Sequence, residues 1–198
     1  MLDVITRQQY FKDLGLYHGE VDGIENDELR QVYADYQKAY FLQKSDWDGI
    51  YGTKTNRLLI NHHNVWLYTK FDITDFRCGC NGLYCNGYPV LLDEDLIKYI
   101  GSIQKDFKPE TIIKEAMRCS KYDKEKQDNE NTKYKDGKAI HFQNARADIL
   151  SRRKQIVNKY MLNEKANYSF CNGYYRTKDL GGYVHHPEMS SSIYIDVI

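Results

Sequence analysis

The chain of 198 residues has no surplus of either charge, since 28 Lys and Arg balance 28 Asp and Glu. Without a net field it is not drawn as a whole to nucleic acid or anionic lipid, so no nucleic-acid partner is expected and a polyanion would need a local patch. Long apolar runs are lacking too. Residues 1–10 carry Asp3, Arg7, Gln8 and Gln9 with no apolar stretch of signal-peptide length. Nowhere does the chain reach the roughly 20 apolar residues that span a bilayer, so no membrane insertion is expected. These absences predict synthesis in the cytoplasm without an ordinary secretion signal. A disordered composition is also missing: 41% of residues are hydrophobic and 14% aromatic, with 18 Tyr, which is enough to build a core. The length exceeds the roughly 100 to 150 residues of a typical domain and predicts two domains, residues 1–64 and 65–198. Five cysteines leave one unpaired in any disulfide scheme, and three are crowded as Cys78-Gly79-Cys80 and Cys85. In a chain without a signal peptide, that clustering points to metal ligation or free thiols.

What is present near the N-terminus is a loose repeat. Gly19-Glu20-Val21-Asp22-Gly23-Ile24 returns as Asp46-Trp47-Asp48-Gly49-Ile50-Tyr51-Gly52. Each Asp-Gly can make a tight turn, because Asp bonds nearby backbone and Gly accepts positive φ. Between the turns, Leu29, Val32, Tyr33, Tyr36, Ala39 and Tyr40 recur at helical spacing. Thr6 and Gln9 fit a capping box, Gly15 can end the helix so begun, and Thr53 can cap a third helix over residues 54–60. His62-His63-Asn64 reads as a solvated linker. Three short helices joined by Asp-Gly loops resemble the peptidoglycan-binding domain 1 family over roughly residues 5–60. The most specific match is Gly52-Thr53-Lys54-Thr55 after the second turn, and Tyr36-Gln37 stands where that family has Phe-Gln.

In the second segment, Leu96, Ile97, Ile100 and Ile103 predict a helix over residues 93–107, with Asp93 at its positive end. Thr111-Ile112-Ile113 reads as a strand, residues 121–138 as a polar surface loop, residues 152–161 as a helix, and residues 192–198 as a terminal strand. Cys78, Cys80, Cys85 and Cys119 could together close a structural zinc site, because four thiolates fill a tetrahedral shell. Buried or reduced thiols are the alternative, and Cys171 is the odd one out.

Hydrolytic zinc needs three protein ligands and an open position for water. His141 and Asp148 are suitable ligands in His-Phe-Gln-Asn-Ala-Arg-Ala-Asp, and the chain closes with Ile193-Tyr194-Ile195-Asp196-Val197. With the Phe-x-Cys-x-Cys opening and the Arg118-Cys119 pair, this order resembles the zinc D-alanyl-D-alanine carboxypeptidases and related phage endolysins over about residues 70–198. The resemblance implies an α+β fold: a three-helix peptidoglycan-binding module, then a peptidase-like, hedgehog-type domain with a small antiparallel sheet flanked by helices. It implies catalytic Zn2+ on His141 and Asp148, bacterial peptidoglycan as partner, and cleavage of an amide bond in the stem peptide. Delivery to the wall would follow holin-type release or incorporation in a phage particle.

Several positions depart from the family pattern. Ala139, Asn144 and Arg146 replace its Ser, Gly and Ala, and Tyr194 stands where it has the third, histidine ligand. A phenol ligates zinc only if the metal draws off a proton whose usual pKa is about 10. His185 or His186 could serve instead, although the His185-His186-Pro187 run also suits a surface turn. Ser191 replaces the family's acidic catalyst, leaving Glu188 as the nearest upstream carboxylate. Arg118 can grip a substrate carboxylate through two parallel hydrogen bonds, or simply pair with Glu115. Two readings stay open: an active peptidase, or an inactive wall-binding or phage structural protein that keeps the peptidase fold.

Overall fold

A helix begins well where a short polar side chain takes up one of its orphan backbone N–H groups. In the computed structural model, which describes residues 1–106, 111–126, 133–144, 166–171, 174–176, 183–185 and 192–197, Asp3 does this for α1 (Val4–Asp13). Its carboxylate accepts from the Thr6 N–H at 2.8 Å, so Thr6 lies inside the first turn and is not the cap that its spacing predicts. Gln9 bonds Asp13 one turn on. Gly15 does end the helix: its φ is +71°, and the N–H groups of Gly15 and Leu16 return to the carbonyls of Lys12 and Phe11. Asn26 caps α2 (Asp27–Tyr40), and α3 (Thr53–Tyr68) starts from Gly52 with no side-chain cap. Thr53 is therefore the first helical residue and not the cap.

The sequence repeat is built twice in atomic detail. From α1, the buried Gln8 accepts the Gly23 N–H at 2.8 Å and donates to Asp22 Oδ1 at 2.8 Å and to the Ile24 carbonyl at 3.1 Å. From α2, the buried Gln37 accepts the Gly49 N–H at 2.7 Å and donates to Asp48 Oδ1 and the Ile50 carbonyl, both at 2.9 Å. Each aspartate also accepts the N–H two residues on, at 2.9 Å. Gly23 and Gly49 have φ of +78° and +70°. One inward-facing amide thus satisfies the polar backbone of a turn that would otherwise meet the core unpaired.

Helix α3 runs on through His62-His63-Asn64, so those residues are not a linker, and the division expected after residue 64 falls inside a helix. The cause is an inward face that continues through Leu58, Leu59, Asn61, His63 and Val65, all buried. Beyond α3 the same core continues. Asn61 donates to the Val90 carbonyl and accepts the Leu92 N–H, both at 2.9 Å, and Arg57 donates to the Tyr88 carbonyl at 3.1 Å. A single apolar cluster includes Phe11, Tyr33, Leu58, Phe76, Ile97, Met117 and Phe142.

Asp93 Oδ1 accepts the N–H groups of Asp95 and Leu96 and so starts α4 (Glu94–Asp106), which buries Leu96, Ile97, Ile100 and Ile103. After β1 (Thr111–Glu115), the region expected to be a polar loop contains α5 (Ser120–Lys126) and a 3-10 turn at Lys133–Asp136, where Tyr134 is buried. Lys and Glu are good helix formers, so polarity alone is a poor sign of a loop. The helix expected at residues 152–161 lies outside the described residues.

The fold is α+β. Strand β1 pairs with β2 (Ala139–Asn144), β2 with β6 (Ser192–Val197), and β6 with β3 (Ala166–Cys171), all antiparallel. Strands β4 (Tyr174–Arg176) and β5 (Tyr183–His185) form a separate two-stranded ribbon. Among the described residues, no helix is long and apolar enough to cross a membrane.

Candidate metal centre

Three cysteines are brought together by a loop that folds back sharply. Asn81, Gly82 and Gly87 have φ of +50°, +86° and +104°, and the Cys78 N–H bonds the Gly87 carbonyl at 2.8 Å, closing the loop. Cys119 arrives from the other side, immediately before α5, with its N–H 3.3 Å from Cys78 Sγ. The sulfurs of Cys78, Cys80, Cys85 and Cys119 all lie within 4.8 Å of one another, and Cys80 and Cys85 approach to 3.5 Å. Cys78, Cys80 and Cys119 are buried and Cys85 is half-buried. The four cysteines converge, in an arrangement able to bind a metal ion.

Contacts within the cluster pull the thiol pKa values apart. A hydrogen bond from the Cys85 thiol pulls the Cys78 thiol down to about 5, with help from the backbone N–H groups of Cys80 and Cys119. The same contact, with burial, pushes Cys85 up, and burial raises Cys119.

His141 lies in β2, where its register partners are Tyr194 on β6 and Glu115 on β1. It is buried, and among the described residues its Nε2 has no hydrogen-bond partner. Burial first, then the positive charges of Lys114 and Arg118, lower the imidazole pKa to about 4. A neutral ring with an unengaged nitrogen fits the donor that zinc requires, whereas the two cations beside it oppose a dication unless a carboxylate joins the site. Asp148, His186 and Glu188 lie outside the described residues. His185 lies in the β4–β5 ribbon, and Tyr194 takes the sheet position opposite His141.

Arg118 is buried and already engaged. Its Nε and Nη2 reach the two Glu115 carboxylate oxygens at 2.8 and 2.6 Å, Nη1 lies 3.5 Å from Asp123, and the guanidinium sits 4.5 Å from the centre of the Tyr134 ring. The pairing with Glu115 is therefore the arrangement in place. Two polar groupings escape a reading based on spacing. His63 Nε2 lies 2.9 Å from Asp13 while its ring stacks on Tyr10 at 3.6 Å, and His62 Nδ1 lies 3.1 Å from the Tyr36 hydroxyl. The signal available was the helical period, which, extended past residue 60, carries His63 onto the buried face and His62 to its half-buried edge. No family model, curated protein or solved structure matches the chain.

Proposed function

We propose that the chain acts on bacterial peptidoglycan, with residues 1–64 as a wall-binding module and residues 65–198 as a zinc peptidase-like domain that hydrolyses an amide bond of the stem peptide. The observation that carries this reading is the doubled clamp, in which Gln8 and Gln37 each hold an Asp-Gly turn. The order of helix, Asp-Gly turn, helix, Asp-Gly turn and Gly-Thr-x-Thr is what makes residues 5–60 resemble the peptidoglycan-binding domain 1 family, and the clamps show that both turns are built in the same way. For the peptidase half, support comes from His141, whose buried Nε2 is free to ligate among the described residues. In this reading His141 and Asp148 hold the metal, with His186 or Tyr194 as third ligand. Bound zinc would polarise the scissile carbonyl and activate water. Arg118 would exchange its Glu115 partner for a substrate carboxylate, and Glu188 would serve as general base.

A second reading, a wall-binding protein without catalysis, is favoured by Tyr194 opposite His141 and by the Arg118 fork already filled by Glu115. Sedimentation with purified walls and turbidity clearing separate the two. The hydrolase should sediment with walls and clear them, and His141→Ala should abolish clearing while binding persists. Binding without clearing, with clearing gained in Tyr194→His, establishes the second reading. Failure to sediment with any wall type rejects both.

A further inference from the structure

We infer that Cys78, Cys80, Cys85 and Cys119 hold one Zn2+ in a closed, non-catalytic shell that clamps the loop of residues 78–87 to the corner between β1 and α5. Geometry carries the assignment. Four sulfurs about 2.3 Å from a central zinc form a tetrahedron whose edge is about 3.8 Å. The observed sulfurs, all within 4.8 Å with one pair at 3.5 Å, bracket that edge. A disulfide between Cys80 and Cys85 would need about 2.05 Å, far closer than 3.5 Å.

The surroundings are those of a thiolate cluster. Backbone N–H groups of Cys80 and Cys119 are directed at Cys78, that of Gly87 at Cys85, and that of Tyr122 at Cys119. Such donors orient the sulfurs and spread their charge. Arg57 lies close enough to Cys85 for the two to interact electrostatically, offsetting part of the negative charge that four thiolates leave on a dication. Four cysteine ligands leave no position for water, which makes the site structural.

What the ion joins is also visible. The loop is tied to the helical half through the Leu42 N–H to the Asn86 carbonyl at 3.0 Å and Gln43 to the Gly82 carbonyl at 3.3 Å, and Arg77 just before it reaches the Tyr40 carbonyl at 3.4 Å. Cys119 adjoins Arg118. Zinc at the cluster therefore links the α1–α3 half to the segment that presents the buried guanidinium.

The test is metal content of the full chain, purified under reducing conditions, with titration by a mercurial that displaces zinc from thiolates. Zinc should be present in the wild type and in His141→Ala, and be released in step with modification of cysteine. Replacement by Co2+ should give sulfur-to-cobalt charge-transfer absorption in both proteins. Cys80→Ser should lose the ion; should that variant not fold, the release and the cobalt spectrum on the wild type decide alone. Four thiols that react freely in native, zinc-free protein overturn the proposal, as does iron in place of zinc. Zinc that disappears in His141→Ala while the cysteines react freely assigns the ion to the histidine site and also overturns it. Because no readout uses wall clearing, the outcome is independent of the hydrolase reading.

Discussion

The imidazole of His62 sits among rings, stacked on Tyr36 and edge-on to Tyr40, and its Nδ1 faces the Tyr36 hydroxyl. Burial lowers its pKa to about 4, against a partial pull upward from Asp72 and a smaller push downward from His63. In the unfolded chain the same group takes up its proton near 6.5, so between 6.5 and 4 the unfolded state binds the proton that the native state refuses. Stability contributed here is level above neutral pH and falls as the pH drops through that window, by about 3 kcal/mol at its lower end. Urea unfolding at a series of pH values should show that fall. In His62→Asn, whose amide oxygen can take the place of Nδ1 as acceptor, the fall should be shallower by a similar amount. An identical slope in the two proteins would show that His62 is not the group responsible.

Each Asp-Gly turn depends on an amide that offers an acceptor and a donor at once. Gln37→Glu keeps the shape but turns the donor into a carboxylate oxygen facing Asp48 Oδ1 and the Ile50 carbonyl, in a position that is 1% exposed. The substitution should destabilise the protein by about 2 to 4 kcal/mol at neutral pH, and by less in acid, where the new carboxyl can stay protonated. Gln8→Glu should behave alike, because the first clamp has the same contacts; a change within about 0.5 kcal/mol in either variant would remove the clamp from the account of the fold. The turns themselves were legible in the sequence, since Asp-Gly carries its own conformational signal. Their clamps were not, because a glutamine on a helix shows no preference for the loop it will meet. Legibility follows range throughout. The cysteine site could be read because three of its sulfurs share one short loop, whereas the approach of Cys119 from 34 residues on is a long-range contact that only the fold shows. The Arg118 pairing with Glu115 was one of two readings that the sequence left open. The continuation of α3 was obscured by two histidines, which look polar but pack as rings. Capping departs from the sequence expectation twice for different reasons: at α1 two short polar residues compete and Asp3, not Thr6, has the extended cap backbone, whereas α3 starts from Gly52 with no side-chain cap.

At the scale of the molecule, the apolar cluster and the Asn61 bridge run across the division that chain length suggested. Both tryptophans lie in the α1–α3 half: Trp47 donates to the Phe41 carbonyl at 3.0 Å, and Trp66, half exposed beside His63, is on α3, the helix that crosses the expected division. Their fluorescence and the far-UV signal of the whole chain should therefore change together in one denaturant transition. Asn61→Ala, which leaves the Val90 carbonyl and the Leu92 N–H unpaired, should move both signals to a lower midpoint together, by about 2 kcal/mol or more. Two separate transitions would show that the halves fold independently despite their shared core.

The order of the sheet has a further consequence for how the protein is made. Strand β6 lies between β2 and β3, yet it is the last of the three to leave the ribosome. Until it does, β1 and β2 can pair while the other edge of β2 stays open, and β3 has no neighbour on which to lay its backbone. The nascent chain must then hold an apolar segment containing Ile140 and Phe142 without its final cover, a state open to pairing with other chains. Closure of the sheet is a late, long-range event, and the yield of native protein should depend on whatever shields that edge during synthesis.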